Sequence, residues 1–353
     1  MKTALVALAC TVAVATLPMR VEAGPVKHWG AFPDREVRAV ALRGDQLGGE
    51  SSYTAVQGRD GYVYLRGRRG LYRMLDLDGR YARVANTEDC SGWFESQGVD
   101  NRGGTPLAIC TRAAQIILAG AQNHWHKRAP RPTWPGAFRT AGQYRVDNRF
   151  LTAVQPASGG GYWFAYGLAV GVGRMWPSGQ ATVVHLQGLD EIRQIVGAGD
   201  DLYVLDNACR VGRLRALTLV AIDFFDERCA GARPYWRTNH IVAAPDGAVW
   251  LIGSGLVERR ARDGARRRWE LSMIGTGIAI SRDGTAYVLG RTAAGPEGRL
   301  RIAVIAPGRA PAVLVLPMTS ADTIAIDGRD RIWISVPEWH AAAVISPAAA
   351  KHT

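Results

Sequence analysis

Tryptophan and arginine occur together in several segments of this 353-residue chain that are otherwise rich in Gly, Pro and polar residues. The tryptophans are Trp93, Trp134, Trp236 and Trp339, and the arginines near them include Arg131, Arg139, Arg233 and Arg237. An indole face stacks on sugar rings, and a guanidinium group binds carboxylate, phosphate or sulfate through parallel hydrogen bonds. The chain has 43 Lys+Arg against 31 Asp+Glu, and only four of the basic residues are Lys, so its net charge of +12 is almost wholly guanidinium. We therefore expect a surface that binds an anionic or sugar-containing ligand, or an acidic protein.

Proton-transfer and metal chemistry have fewer candidates. Glu338 and His340 lie two positions apart and offer a carboxylate and an imidazole for acid–base work. His124 and His126 have the spacing of two metal ligands, but no third ligand accompanies them, so a solvated outer strand is the better interpretation. The sequence contains no nucleophile elbow, phosphate-binding glycine loop or EF-hand loop. We expect neither a metal nor a cofactor.

Residues 1–23 have the pattern of a cleaved signal peptide. Lys2 precedes an apolar run from Ala4 to Leu17, and Ala23 supplies a small residue at the expected cleavage site. The apolar run is shorter than the roughly 20 residues that span a bilayer, and no other segment approaches that length. The sequence therefore predicts a secreted or periplasmic protein without a membrane span. Cleavage before Cys10, as in a lipoprotein, is the alternative.

Four cysteines remain after that cleavage, and an even number in an exported chain favours two disulfides. Three pairings are possible, and the sequence alone does not choose among them. Equal spacings of 20 positions favour the two local pairs, Cys90 with Cys110 and Cys209 with Cys229. Neither pair has the CxxC spacing of a zinc or redox site.

The mature chain consists of internal repeats. With 47% hydrophobic residues the chain can bury a large core, which excludes a disordered, collagen-like or disulfide-dependent class. Short strands separated by Gly-containing turns recur, and the clearest copies are Tyr53 to Val84, Leu151 to His185 and His240 to Leu271. Weaker copies bring the number of units to seven. Four short strands per unit at this period predict an all-β, seven-bladed propeller over residues 24–353, with the last blade closed by the N-terminal strand Glu36 to Leu42.

The order of strands in a blade sorts the connections onto two ends of the ring. Connections from second to third strands, and from each fourth strand to the next first strand, share one end, which we call the loop rim. The opposite end, the turn rim, receives short Asp-Gly turns. All the tryptophans and cysteines named above are assigned to the loop rim, where the disulfides are expected to stiffen the loops. The first strands should begin there, around the channel mouth, at Tyr53, Glu95, Leu151, Arg193, Asn239 with His240, Thr276 and Asp322.

Three segments carry a resemblance to a known group of propellers. They are Gly70 to Val84 (GLYRMLDLDGRYARV), Val172 to Val184 (VGRMWPSGQATVV) and Asp246 to Leu251 (DGAVWL). Their sequences resemble those of the virginiamycin B lyase-like propellers and, more loosely, those of the NHL and two-component-regulator propellers. That resemblance implies a general acid/base His and Glu at the channel mouth, on the late blades. Aligned by strand, the two His positions of that pattern fall on Asn239 and Asp322, so the pattern is not present as written, although His240, Glu338 and His340 lie close by.

Three functional hypotheses follow. The favoured one is an exported, monomeric binding protein whose Trp and Arg residues on the loop rim, together with Tyr53, Arg193 and Asn239, recognise an anionic glycan, an envelope polymer or an acidic protein. A lyase-like or hydrolytic enzyme at the channel mouth is the first alternative, with His240, Asp322, Glu338 and His340 as catalytic candidates. An assembly scaffold of the cell envelope is the second. The arginine runs at 259–262 and 266–268 predict a further basic surface on the fifth blade, and export argues against nucleic acid as its partner.

Overall fold

A computed structural model describes residues 37–41, 54–57, 61–66, 70–75, 81–86, 97–100, 107–112, 115–119, 151–166, 171–178, 180–225, 240–292, 300–316, 321, 323–336 and 341–346. The regular elements within these ranges are 26 antiparallel β-strands. They form a ring of blades, which confirms the predicted all-β propeller. The described residues include no helix long and apolar enough to cross a membrane.

The first four blades follow one another along the chain, each with its first strand at the channel. Blade 1 contains β2 (Thr54–Gln57), β3 (Val63–Arg66), β4 (Gly70–Met74) and β5 (Tyr81–Asn86). Blade 2 is described by β6 (Gln97–Asp100), β7 (Leu107–Arg112) and β8 (Gln115–Ala119). Blade 3 contains β9 (Leu151–Pro156), β10 (Tyr162–Tyr166), β11 (Gly171–Met175) and β12 (Ala181–His185). Blade 4 contains β13 (Ile192–Ala198), β14 (Asp201–Asp206), β15 (Arg210–Arg215) and β16 (Thr218–Phe224).

Blades 5 and 6 share one continuous seven-stranded sheet. It consists of β17 (His240–Ala243), β18 (Val249–Ile252), β19 (Ser254–Arg260), β20 (Arg266–Ile280), β21 (Ala286–Arg291), β22 (Leu300–Ile305) and β23 (Ala312–Val315). The first part of β20 pairs with β19 as the outer strand of blade 5, and its last part pairs with β21 as the inner strand of blade 6. Register shifts beside Gly255 and between Gly275 and Gly277 mark the changeover. Two blades are thus joined without a loop.

Blade 7 is completed by the N-terminal strand. Its chain-consecutive strands are β24 (Ile324–Ile326), β25 (Ile332–Val336) and β26 (Ala341–Ile345), and β1 (Val37–Ala41) pairs with β26 from Val37 opposite Ile345 to Ala41 opposite Ala341. The predicted closing strand is therefore confirmed. Blade 7 also meets blade 1 directly, since the amide of Ala55 donates to Thr323 Oγ1 at 2.6 Å. The prediction that residues 24–353 form one domain stays a prediction, and the predicted signal peptide lies outside the described residues.

Aromatic side chains in the second strands fill the spaces between blades. Tyr64, Trp163, Tyr203, Trp250, Tyr287 and Trp333 are all at most 7% exposed. Trp163 of blade 3 packs among residues of blade 4, and Trp333 of blade 7 packs among residues of blade 1. Their predicted structural role is confirmed. From blade 3 round to blade 1, neighbouring blades therefore bury their faces against each other, as a ring requires.

Asp-Gly turns close the hairpins of the turn rim. Gly247 and Gly284 have φ of +80° and +82°, a conformation that costs glycine little. The preceding aspartate of each turn accepts a backbone hydrogen bond two residues on, from Ala248 to Asp246 at 2.9 Å and from Thr285 to Asp283 at 3.0 Å. These bonds hold the pKa of both carboxyl groups below the usual 3.8, with the Ser281 hydroxyl as the largest cause at Asp283, and with burial opposing the shift at Asp246. Side chain and backbone thus specify the same turn.

Candidate functional site

Four of the predicted channel-mouth residues, Leu151, Arg193, His240 and Thr276, lie within the described residues, and so do two of the cysteines. The other predicted site residues lie outside them: Tyr53, Trp93, Arg131, Trp134, Arg139, Arg233, Trp236, Arg237, Asn239, Asp322, Glu338, Trp339 and His340. Their roles stay predictions. Among the described residues, no three His, Cys, Asp or Glu side chains lie close enough together to hold a metal ion.

Arg193 is held at the channel mouth by a short polar chain. Its side chain is exposed, and its Nε donates to Asn207 Oδ1. Asn207, in the connection between β14 and β15, donates in turn through Nδ2 to Glu191 Oε2 at 2.5 Å. The backbone amide of Asn207 also donates to the Glu191 carbonyl at 2.9 Å. The guanidinium is therefore oriented by two loop-rim residues that the sequence analysis did not single out.

The buried carboxylate of Asp206 also holds the connection between β14 and β15 in place. Asp206 is 2% exposed and accepts hydrogen bonds from the amides of Asp190 at 2.8 Å and Arg210 at 2.7 Å. Arg210 Nε lies 2.7 Å from its Oδ2 and balances its charge. The segment before β13 and the connection after β14 are therefore bound to one carboxylate. This gives the Arg193 chain a rigid support.

His240 links three blades at the start of β17. Its Nδ1 lies 3.2 Å from Gln194 Nε2 on β13, and the Gln194 Oε1 accepts the amide of Ile241 at 2.9 Å. Because that amide fixes the orientation of the Gln194 carboxamide, Nε2 must be the group that faces the imidazole. The ring also bonds the backbone of Thr276, in the inner part of β20. Burial lowers the pKa of His240 below its ordinary 6.5 and the Thr276 bond opposes this, so the ring is neutral near pH 7.

These bonds determine which ring nitrogen of His240 carries the proton. Nδ1 accepts from Gln194, so the proton of the neutral ring is on Nε2. The lone pair that a general base would use is therefore already engaged by Gln194. In this arrangement His240 joins blades 4, 5 and 6, and proton abstraction would first require the Gln194 bond to break.

We expect His240 to make the stability of the protein sensitive to mild acid. In the unfolded chain this histidine binds a proton near pH 6.5, whereas in the folded protein it does so only at lower pH. The free energy of unfolding should therefore fall as the pH drops below 6.5. His240→Gln should flatten this dependence between pH 7.5 and 5, measured by urea unfolding at each pH. Gln187→Ala, in the exposed turn after β12, provides a control that removes no titratable group and should keep the wild-type slope. Equal slopes for wild type and H240Q would contradict the lowered pKa assigned to His240.

Most of the side chains that line the central channel toward the turn rim are apolar. A cavity of about 660 Å³ is lined there by inner-strand residues of blades 1, 5, 6 and 7, including Val242, Ile278 and Ile324. Gln57 and Arg282 are its polar side chains among the described residues. The channel therefore differs at its two ends, with a hydrogen-bonded polar network at the loop rim and an apolar wall ending in one cation at the turn rim.

Acidic side chains pair with four of the six arginines in the two runs on blade 5. Glu258 is fully buried and accepts hydrogen bonds from Arg260 and Arg268. Further acids neutralise the neighbouring guanidinium groups, with Asp223 of blade 4 bonded to Arg266 and Asp246 lying 2.6 Å from Arg259. Arg262 and Arg267 are exposed, and neither forms an ion pair among the described residues, so the predicted basic surface stays a prediction. The acids, one of them from the adjacent blade, reduce its charge because they approach the runs in the folded ring.

The described cysteines bear partly on the disulfide prediction. Cys110 lies within β7, opposite Gln97 of β6, rather than in a loop. Cys209 is 1% exposed in the connection between β14 and β15, and its sulfur is in the disulfide-bonded form. Cys90 and Cys229 lie outside the described residues. Both pairings stay predictions.

Comparison with known proteins supports the propeller fold alone. No protein-family model matches the chain, and no curated protein matches it. A streptogramin B lyase structure matches with a TM-score of 0.65 at 13% identity, over 90% of this chain and 99% of that one. A virginiamycin B lyase from Staphylococcus aureus matches at 0.62 and 15%, over 89% and 99%. The extracellular domain of a hybrid two component system from B. thetaiotaomicron matches at 0.58 and 12%, over 88% of this chain and 40% of that one. The structural likeness to the lyase propellers is thus confirmed, while identities this low show the fold alone.

Proposed function

We propose that this chain is an exported propeller that binds an anionic or sugar-containing ligand, or an acidic protein, through its loop rim. The observation that carries the proposal is the preorganised Arg193, an exposed guanidinium held at the channel mouth through Asn207 and Glu191. A cation fixed before the ligand arrives loses little side-chain entropy on binding. Exposed charge of this kind suits an oxyanion or an acidic side chain.

The predicted loop-rim tryptophans would extend this binding surface. Trp134 and Trp236 lie in long segments rich in arginine, a composition that favours stacking on sugar rings with neighbouring anions held by guanidinium groups. Long loops on a rigid ring commonly carry binding residues, because the scaffold positions them without restricting their sequence. Export is a further part of the proposal, and the match to an extracellular domain is consistent with it.

Replacing both tryptophans tests the proposal. The wild type is to be screened on an array that contains acidic and neutral glycans, and the strongest binder then serves as the probe. Trp134→Ala with Trp236→Ala should weaken its binding by about 100-fold, since an anchoring aromatic contributes about 2 kcal/mol or more. Arg193→Ala should weaken it about tenfold and reduce its salt dependence. Arg309→Ala, an exposed arginine of the turn rim, is the control. Unchanged binding by the double tryptophan variant, with an unchanged melting temperature, would overturn the proposal.

A second candidate function is lyase-like chemistry at the channel mouth. The observation that favours it is the position of His240 at the start of the inner strand β17, where its imidazole would act as a base once the Gln194 bond breaks. A solved virginiamycin B lyase structure carries quinupristin, which makes that compound the natural first substrate. Consumption of quinupristin by the wild type, followed by liquid chromatography, and its loss in H240A and E338Q would support this candidate. No consumption by the wild type would remove it, and so would full activity of both variants.

A further inference from the structure

A second cavity opens on the turn rim where the last blade meets the first. Its floor is formed by two turns in direct contact, since the amide of Gly328 donates to the carbonyl of Gly61 at 2.7 Å. A Cβ at Gly328 would lie 2.9 Å from the Gly61 Cα, so the two turns are as close as glycine allows. The cavity has a volume of about 470 Å³, within the usual range for small-molecule sites. We call it the seam cavity.

One wall of the seam cavity is apolar and partly exposed. Tyr62 is 43% exposed and Leu75 is 45% exposed, and both belong to the few large hydrophobic side chains that the described surface leaves open. Arg73 lies over the Tyr62 ring, 4.8 Å from its centroid, which holds the ring in place. The buried side chains of Met74 and Trp333 line the cavity below them. This wall offers a surface for a ring or a short apolar chain.

The carboxylate of the cavity is already satisfied. Asp327 is 4% exposed and accepts four hydrogen bonds, from the amides of Arg329 at 2.8 Å and Arg331 at 3.0 Å, from Arg331 Nε at 2.6 Å and from Trp333 Nε1 at 2.9 Å. Its charge is balanced by Arg331. Asp327 therefore has no further capacity to neutralise a second cation.

Two other guanidinium groups line the same cavity. Arg282, from the turn between β20 and β21, and Arg329, from the turn between β24 and β25, are both exposed. Neither side chain has a hydrogen bond or an ion pair with any residue in the part of the chain that the structure describes. Arg282 also lines the channel cavity, so it stands where the two cavities meet. The seam cavity thus combines two uncommitted cations with one apolar wall.

We infer that the seam cavity is a binding site for a small organic anion, whose carboxylate or phosphate lies between Arg282 and Arg329 and whose ring lies against Tyr62 and Leu75. Guanidinium groups donate paired hydrogen bonds to both kinds of oxyanion. The site is separate from the loop rim, because every residue that lines it belongs to the opposite end of the ring. Its ligand need not be the ligand of the loop rim.

Phenyl phosphate, benzoate and phenol are suitable probes, with binding followed by isothermal titration calorimetry and by ligand-observed NMR. Phenyl phosphate and benzoate should both bind saturably, phenol should not, and the stronger of the two anions identifies the preferred oxyanion. Arg282→Ala and Arg329→Ala should each weaken the preferred anion by about tenfold or more, because each removes charge-assisted hydrogen bonds. Tyr62→Ala should reduce the advantage of phenyl phosphate over inorganic phosphate.

Arg309→Ala is the matched control, since Arg309 is an exposed arginine in another turn of the same rim and does not line the cavity. It should leave anion binding unchanged, and so should the double tryptophan variant of the loop rim. Absence of saturable binding of either anion up to about 10 mM would overturn the inference. Equal weakening by R309A and R329A, or equal binding of phenol and benzoate, would overturn it as well. Melting curves of all variants verify that the turns remain folded.

Discussion

Deletion of residues 24–42 should convert the ring into an open, aggregation-prone arc. The deletion removes β1, whose five residues pair with β26 along its whole length. Without that pairing the edge of β26 is exposed, although its residues Ala342, Val344 and Ile345 are fully buried in the closed ring. An unpaired apolar edge is a template for pairing with other chains. We expect loss of about 3 kcal/mol or more in the free energy of unfolding, from lost backbone hydrogen bonds of about 0.5–1.5 kcal/mol each.

A shorter deletion supplies the control for this experiment. A chain that starts at residue 36 keeps β1 and loses only the preceding segment. Both chains are compared by urea unfolding and by size-exclusion chromatography. The chain starting at residue 36 should elute as the parent protein does, whereas the chain starting at residue 43 should unfold at lower urea and form larger species. Indistinguishable unfolding of the two chains would show that β1 does not hold the ring closed.

Glu258→Ala should be among the most destabilising single substitutions in the described part of the protein. Glu258 is fully buried on β19 and accepts hydrogen bonds from Arg260 and Arg268. Arg260 is itself only 6% exposed, and its remaining acid, Asp223, lies 3.6 Å away. Removing one member of a buried charge cluster leaves an uncompensated buried charge, which typically costs about 3–5 kcal/mol. Urea unfolding of the purified variant measures this loss.

Two further variants separate the charge of Glu258 from its position. Glu258→Gln keeps the shape and an acceptor oxygen but removes the charge, so its loss should be smaller than that of E258A. Glu270, on β20, is an exposed glutamate, and E270A should change stability by less than about 0.5 kcal/mol. Because Glu258 and Arg260 are both buried, the difference between wild type and E258A should persist in 0.5 M salt. Equal effects of E258A and E270A would contradict the role assigned to the cluster.

The blades could be predicted because local sequence specifies them. The Asp-Gly turns at Gly247 and Gly284, and the aromatic in six of the seven second strands, depend on residues within a few positions of one another, and both are found as expected. The boundary between blades 5 and 6 was predicted less well. The sequence suggests a connection between Leu271 and Thr276, whereas β20 runs through it unbroken. The stretch contains no proline, and a Cβ added at Gly275 would lie only 3.3 Å from the Ile252 side chain, so the glycine lets an extended backbone pack closely there without a loop.

The candidate site could be predicted only in part, because its geometry depends on contacts between distant blades. The orientation of His240 is set by Gln194, on another blade, and nothing near His240 in the sequence indicates that partner. The pairing of Arg266 likewise depends on a residue of another blade, Asp223 of blade 4. The seam cavity depends on Gly61 and Gly328, which the ring brings together from opposite ends of the chain. Composition alone suggested where cations would be, but only the fold determines which of them stay unpaired.

The continuous β20 gives the ring a preferred set of places at which it could be reopened. In a closed ring of similar blades, the chain could in principle begin between any two of them once its present ends are joined. Between blades 3 and 4 the new ends would fall in the connection between β12 and β13, which lies outside the sheets. Between blades 5 and 6 they would instead cut a strand that belongs to both sheets. A circularly permuted chain should therefore tolerate new ends elsewhere around the ring but not within Arg266–Ile280. Blades 5 and 6 would have to stay joined in any such rearrangement.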